Sequence, residues 1–430
     1  METAMQTGIK YFASSLESNH SFDLRSPSRK PPIMADAHDF QHITDAQALA
    51  KFCKEAAGSR YIGFDTEFVS ENCFRPQLCL IQVSTESDYA IIDTLAIDNI
   101  DVFWKMLCEG NHITIVHAAR EEFLFCFRSF GKWPSRLFDV QLAAGLIGYD
   151  YPASYGNLVN KTIEKTVDKG ETRTDWSQRP LTEGQISYAL EDVVHLWPVY
   201  KTLCKRLDKK GRLQWMETEM RTWQQNLEET VTKPQWRRVS GTARLRPAQL
   251  AIVKELWLWR NAEAERRNRS AKRTLADDLI VELARRGTSK IDQIRAIRGF
   301  SNRVSGNSLD GISQAIETAL QLPASAHPKK ISSPKSVNLG LLGQFITTAL
   351  NVVCHEQQIA SPLVGTAQEV RDLAASKLGL LKTNKPQRLE AGWRADIVGQ
   401  LIQRVLDGKV AIRVGDAKSN QPLVMESLDK

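Results

Sequence analysis

Two carboxylates stand two residues apart in the run Tyr61-Ile62-Gly63-Phe64-Asp65-Thr66-Glu67-Phe68. On an extended strand alternate side chains share a face, so Asp65 and Glu67 point the same way and their oxygens can converge on one hard cation. A solvated strand edge would carry the same spacing, so the pair gains meaning only from its partners. A second segment, Tyr188-Ala189-Leu190-Glu191-Asp192, sets a phenol and a carboxylate four residues apart, on one face of a helix. Alone it also reads as a tyrosine packed on a core beside an exposed aspartate. Beside Asp65 and Glu67 it supplies a third oxygen ligand and a group able to hold a water.

The elements that must position these groups follow from the apolar spacing. Residues 43–56 repeat at helical period with Thr44-Asp45 as an N-cap, which predicts a helix ahead of the first strand. Strands are expected at 61–68, 78–84 and 88–93, the last two forming a hairpin across Thr85–Ser87. The β-branched run 113–117 predicts another strand, and 118–130 a helix with an aromatic face; strands alternating with helices indicate an α/β layer. Gly148, Pro152, Gly156, Gly170 and Pro180 make 148–180 read as loop. Thr182 with Gln185 has capping-box spacing and opens a helix that carries Tyr188 and Asp192 to about Leu207.

Beyond residue 210 the pattern is helical. A basic helix over 248–269 shows Leu250, Val253, Leu256 and Trp257 on one face, with Arg260, Arg266, Arg267 and Arg269 clustered towards its end. Shorter helices at 275–286, 291–294 and 312–320 complete a small bundle, and the Pro-, Ser- and Lys-rich stretch 321–336 reads as linker. A second helical unit follows, then a polar tail.

The 430 residues suggest two to four domains. A hydrophobic share of 42% with 25% charged residues excludes wholesale disorder, and the most apolar windows are too short or too interrupted to span a bilayer. The net charge of +7 favours an anionic partner. Seven cysteines without a C-x-x-C pair argue against a disulfide framework or a thiolate zinc site, and fit a reducing cytoplasm. The first 33 residues, ending Ser-Pro-Ser-Arg-Lys-Pro-Pro, read as a flexible tail without a leader's apolar segment, and Met34 is an alternative start.

With Asp65-Thr66-Glu67, His117-Ala118-Ala119-Arg120-Glu121-Glu122 and Tyr188-x-x-x-Asp192 in this order, the chain resembles the DEDD exonucleases, and Tyr188 marks their DEDDy branch. Phe138-Asp139-Val140-Gln141-Leu142-Ala143 and the stretch from Asp168 to Trp176, followed by Arg179-Pro180-Leu181-Thr182, resemble the ribonuclease D family. Residues 241–322, around Trp257-Leu258-Trp259-Arg260, resemble an HRDC domain, and 337–415 a divergent second copy. The resemblance implies an α/β, ribonuclease H-like exonuclease domain with a mixed sheet, followed by two all-α HRDC-like bundles. Its expected limits are a disordered tail over 1–38, the exonuclease domain over 39–210 and a helical connector over 211–240. The HRDC domain at 241–322, a linker at 323–336, the HRDC-like unit at 337–415 and a polar tail at 416–430 complete the chain.

The implied activity is 3′–5′ exoribonuclease action releasing 5′-mononucleotides with two divalent ions, Mg²⁺ or Mn²⁺. By resemblance Asp65 bridges both ions, Glu67 and Asp192 complete one ion site, Glu122 faces the other, and Tyr188 orients the attacking water. One position departs from the pattern: the family's second-motif aspartate is here Glu122. Its extra methylene must be absorbed by rotamer, backbone or water, because magnesium holds its ligands at about 2.0–2.1 Å in an octahedron. Glu121 does not substitute, since the next residue on a helix points about 100° away.

Lys169 and Arg173 are candidates to hold the scissile or adjacent phosphate, or are solvated loop charges. Phe68 is a candidate wedge against the terminal base, or a core ring. His117 is a strand-end residue beside the site, and Arg260, Arg266 and Arg267 are candidates to track phosphates. The implied partner is RNA with a single-stranded 3′ end, such as a transfer RNA precursor. Two rival readings stay open: an RNA-binding member of the fold impaired by Glu122, and a 3′–5′ DNA exonuclease.

Overall fold

The computed structural model describes residues 39–167, 174–300, 306–330, 339–381 and 387–428. The expected tail over 1–38, Lys169, Arg173 and residues 331–336 of the expected linker lie outside the described residues.

The first strand, β1 (Gln41–Ile43), precedes α1 (Ala46–Ala56). The helix therefore starts later than the apolar period suggested. Asp45 is extended and accepts the backbone N–H groups of Gln47 and Ala48 at 2.9 Å, which leaves Gln41–Ile43 free to pair with the sheet. Then come β2 (Tyr61–Val69), β3 (Gln77–Ser84), β4 (Tyr89–Asp93), α2 (Asp101–Glu109), β5 (Ile113–Val116), α3 (Arg120–Phe130) and β6 (Leu137–Asp139). The sheet order is β1-β4-β3-β2-β5-β6, with β3 antiparallel to β2 and β4 and the other pairings parallel. This is the mixed sheet expected. Its inner side is filled by Phe64, Phe103 and Trp104, all fully buried, with ring centroids 6.1 and 5.1 Å apart in edge contacts. Each such side chain contributes roughly 1.5–3 kcal/mol by leaving water.

Asp139 caps α4 (Val140–Leu146), and α5 (Tyr155–Ile163) stands inside the stretch read as loop. Its Gly and Pro neighbours masked it, although Gly156 in a first helical turn is tolerated. The long helix expected from Thr182 is two, α6 (Glu183–Val194) and α7 (Leu196–Lys209). Pro198 has no N–H to give the Val194 carbonyl, so the chain resets at His195. The expected capping box is present: Thr182 accepts Gln185 N–H at 3.1 Å while the Gln185 side chain accepts Thr182 N–H at 2.9 Å.

The helix α8 (Leu213–Thr232) connects to a bundle of α9 (Pro247–Arg266), α10 (Ala271–Thr274), α11 (Asp277–Arg286), α12 (Ile291–Arg295) and α13 (Gly306–Leu320), around Leu250, Val253, Leu256, Ile280 and Leu283. A second helical unit holds α14 (Gly340–Glu356), α15 (Ser361–Val364), α16 (Ala367–Lys377), α17 (Trp393–Val398) and α18 (Leu401–Leu406). It ends in a hairpin, β7 (Val410–Val414) and β8 (Leu423–Ser427). The expectation of a wholly α unit and a polar tail is corrected here. Val410-Ala411-Ile412-Arg413-Val414 is a β-branched run, and the polar residues after it form the turn rather than a tail.

Buried side chains clasp α8 to its neighbours. Glu219 receives both Arg394 Nη1 and Nη2 at 2.5 and 2.6 Å and Trp393 Nε1–H at 2.8 Å, and Trp393 stacks on Trp215. Arg212 donates to the carbonyls of Leu146 and Gln358 at 2.8 Å and of Gln357 at 2.6 Å, tying the exonuclease portion to the end of α14. Among the described residues no helix is long and apolar enough to cross a membrane.

Candidate active site

Strand β2 pairs with β5 only through Tyr61, Ile62 and Gly63. From Phe64 onward β2 has no β5 partner, and Thr66 there reaches Glu122 in the first turn of α3. His117-Ala118-Ala119 makes the turn into α3, with Ala118 left-handed at φ 55°. Glu122 is buried, and Thr66 Oγ1 donates to its Oε1 at 2.7 Å. The longer side chain is thus seated against the strand that bears Asp65 and Glu67.

The junction of α6 and α7 lies across β2 from the other direction. Ser84 Oγ donates to the Val193 carbonyl at 3.1 Å. A Cβ on Gly63 would stand 2.5 Å from Ser84 Oγ and 3.0 Å from Leu196 Cδ1, so only glycine lets the junction settle there. The result brings Asp192 and Tyr188 to Asp65 and Glu67, close enough for the Tyr188 phenol and the Asp192 carboxylate to shift one another's protonation.

The electrostatics show the convergence. Burial and then the Glu122, Asp192 and Glu67 charges hold the Asp65 carboxyl well above its usual range. Burial, then Asp192 and Glu122, pushes Glu67 up to about 8. Burial chiefly pushes Glu122 and Asp192 up to about 7 each, against the lowering effect of the Thr66 and Tyr188 hydroxyls. Tyr188 is raised by burial first, then by Asp192, Glu67 and Asp65. Like charges gathered out of water in this way favour a divalent cation as counter-charge. Among the described residues no three Asp, Glu, His or Cys side chains close into a tight ligand group. The donor set itself, four carboxylates without thiolate or imidazole, fits hard cations such as Mg²⁺ or Mn²⁺.

The other expected residues divide. Phe68 is half-buried with its ring edge-on to Phe125 at 5.6 Å. His117 donates from Nε2 to the Ala153 carbonyl at 3.0 Å and lies 5.4 Å from the Tyr155 ring; burial lowers its pKa against the pull of Asp139. Asp139 is a helix cap, accepting the N–H groups of Gln141 and Leu142. Arg260 is corrected from phosphate ligand to core residue: it is 5% exposed, donating to Asp277 Oδ1 at 2.6 Å and to the Leu275 carbonyl at 3.0 Å. Arg267 pairs with Glu263 at 2.5 Å and reaches Ser308 at 3.0 Å. Arg266 is exposed but also bonds Glu263, at 2.8 and 2.9 Å. The helical period placed these arginines together without revealing their acidic partners.

Three contributors were given no role in the sequence. Thr66 gave no signal beyond its place between two acids. Tyr155, inside the supposed loop, buries a hydroxyl that among the described residues has no hydrogen bond of ordinary geometry, and it feels the charges of Asp192 and Asp65. Arg179 donates to both Asp93 oxygens at 2.5 and 2.8 Å and to the Trp176 and Cys79 carbonyls, pinning the segment before α6 onto β3 and β4. Burial works to raise the Asp93 carboxyl, but the Arg179 guanidinium outweighs it and holds it below its usual range.

Sheet order and the acidic centre beside Tyr188 together define a metal-dependent exonuclease fold. The family described as 3′-5′ exonuclease matches residues 40–208, and the HRDC domain family matches 249–316. Ribonuclease D of Gluconacetobacter diazotrophicus is 30% identical over 86% of this chain and 94% of its own length. That of Pseudomonas paraeruginosa is 31% identical over 87% of this chain and all of its own. The crystal structure of Escherichia coli RNase D, described as an exoribonuclease involved in structured RNA processing, superposes with a TM-score of 0.75 at 27% identity, covering 86% of this chain and 99% of that one. The chain belongs to the ribonuclease D family of 3′–5′ exoribonucleases.

Proposed function

We propose that this exoribonuclease trims the single-stranded 3′ ends of structured RNAs, transfer RNA precursors among them, and releases 5′-mononucleotides with the help of two divalent cations. The observation that carries the reading is the convergence of Asp65, Glu67, Glu122 and Asp192, with Tyr188 beside Asp192. Asp65, Glu67, Glu122 and Asp192 would hold the cations, which when bound activate water and offset charge on the leaving oxygen.

The chain's own groups do the rest. Burial and the neighbouring carboxylates keep the Tyr188 phenol protonated, so it acts as a hydrogen-bond partner that orients the attacking water rather than as a base. Water adds to the terminal phosphorus, the P–O3′ bond breaks, and the 3′ oxygen leaves with a proton. Thr66 fixes one oxygen of Glu122. Phe68 borders the place of the terminal base, and Lys169 and Arg173 are proposed to hold the phosphate. The unit over 337–415 is proposed as a second HRDC-like module.

The test is hydrolysis of RNA and DNA strands of one sequence by the purified chain in Mg²⁺ or Mn²⁺. Faster removal of ribonucleotides is expected. Faster removal of deoxyribonucleotides would overturn the substrate assignment.

A further inference from the structure

The arginines at the end of α9 are largely spent on Glu263 and Asp277, yet the chain carries a net charge of +7. Free positive charge gathers elsewhere. A cavity of about 1080 Å³ opens where the end of α7 and the turn after α4 meet the end of α14. Arg206, Lys209 and Lys210 line it, with Tyr149 and His355, against one acid, Glu356. Among the described residues none of the three cations pairs with a carboxylate. Arg206 instead donates to the Tyr149 hydroxyl and lies over that ring at 5.5 Å, and Lys210 donates to Gln358 Oε1 at 2.5 Å. The nearby Asp150 is already bound to Lys161 at 2.7 Å.

Two further features suit an anion. The Gln357 and Gln358 carbonyls that end α14 are occupied by Arg212, which reduces the negative face that a helix C-terminus would offer. Burial first, and then the Arg212 and Lys209 charges, hold the Lys210 ammonium below its usual range, so the local field is positive.

We propose that this cavity binds phosphates of the RNA substrate upstream of its 3′ end, as a second electrostatic contact separate from the carboxylate centre. It lies about 20 Å along the 14-residue α7 from the end next to Asp192, beyond the reach of a dinucleotide held at the carboxylates. The site therefore acts on long or folded RNA. This rests on RNA being the substrate, and its ligand is the phosphodiester backbone without sequence readout.

The test measures binding of an RNA hairpin with a single-stranded 3′ tail as a function of salt, using the full chain with Asp65→Asn to block cleavage. Lys209→Gln with Lys210→Gln is expected to reduce the slope of log K against log salt by about 1.4–1.8, and to weaken binding about tenfold at physiological salt. In chains that retain Asp65, the ratio of kcat/KM for the hairpin to that for a dinucleotide should fall in proportion. Lys209→Gln alone, at an exposed position, should give about half the change in slope and guards against misfolding of the double variant. Lysines that merely complement the end of α7 would lower thermal stability and leave slope and ratio unchanged, and that result would overturn the proposal. Hydrolysis of the dinucleotide by the unaltered chain reports separately on the exoribonuclease reading.

Discussion

The acidic centre on β2 and the arginine-rich end of α9 are both clusters of like charge, and the structure treats them oppositely. At the centre, burial first and then neighbouring carboxylate charges hold Asp65, Glu67, Glu122 and Asp192 above their usual range. At the end of α9, Glu263 accepts from both Arg266 and Arg267, while Arg260 is buried against Asp277. Like charges gathered out of water mark a candidate site for a cation, whereas charges paired with their opposites mark structure.

The sharpest break in this comparison comes from Asp65→Asn. Removing the carboxylate that feels all three others should lower kcat about a thousandfold or more in single-turnover RNA hydrolysis while RNA binding stays largely intact. Arg260→Ala should do the reverse. It leaves Asp277 without its buried partner and should cost about 3–5 kcal/mol in denaturant unfolding, with little change in phosphate affinity. A stable Arg260→Ala chain with weakened RNA binding would return that residue to the interface.

This contrast also shows what the sequence makes legible. Spacing identified Asp65 and Glu67 on one strand, Tyr188 and Asp192 on one helix, and the capping box that starts it, because each depends on neighbours within a few residues. It did not show that Arg260 turns inward to Asp277, 17 residues away, or that Thr66 reaches Glu122, 56 residues away. Nor did local period distinguish one long helix from two meeting at His195, where Pro198 interrupts the backbone ladder. The hairpin at 410–427 was missed because its first strand followed a helical pattern and its turn looked like a tail.

A smaller effect links the centre to pH. Carboxyls with raised folded pKa values bind protons more tightly when folded, so they add stability at low pH that is lost as pH rises through the folded values. Without divalent ions, the melting temperature should therefore decline between about pH 5 and 8, through the values near 7 and 8 at Glu122, Asp192 and Glu67. Mg²⁺ or Mn²⁺ should raise it by an amount that grows with pH, since cations compete with those protons. A cation effect independent of pH would argue that these carboxylates are not the ligands.

The smallest change is expected from Arg266→Gln. Because Glu263 already holds this exposed guanidinium, the melting temperature should be unchanged and the salt slope of RNA binding should move by less than one phosphate contact. A full unit of slope would mean that the end of α9 exchanges Glu263 for phosphate.

The central claim is that Glu122, seated by Thr66, completes a working carboxylate centre. Its most direct test is hydrolysis of an end-labelled RNA with a single-stranded 3′ end by the unaltered chain, beside Glu122→Asp, in Mg²⁺ and in Mn²⁺. The account predicts stepwise release of 5′-mononucleotides from the 3′ end by the unaltered chain. An inert unaltered chain whose activity appears only in Glu122→Asp would contradict it.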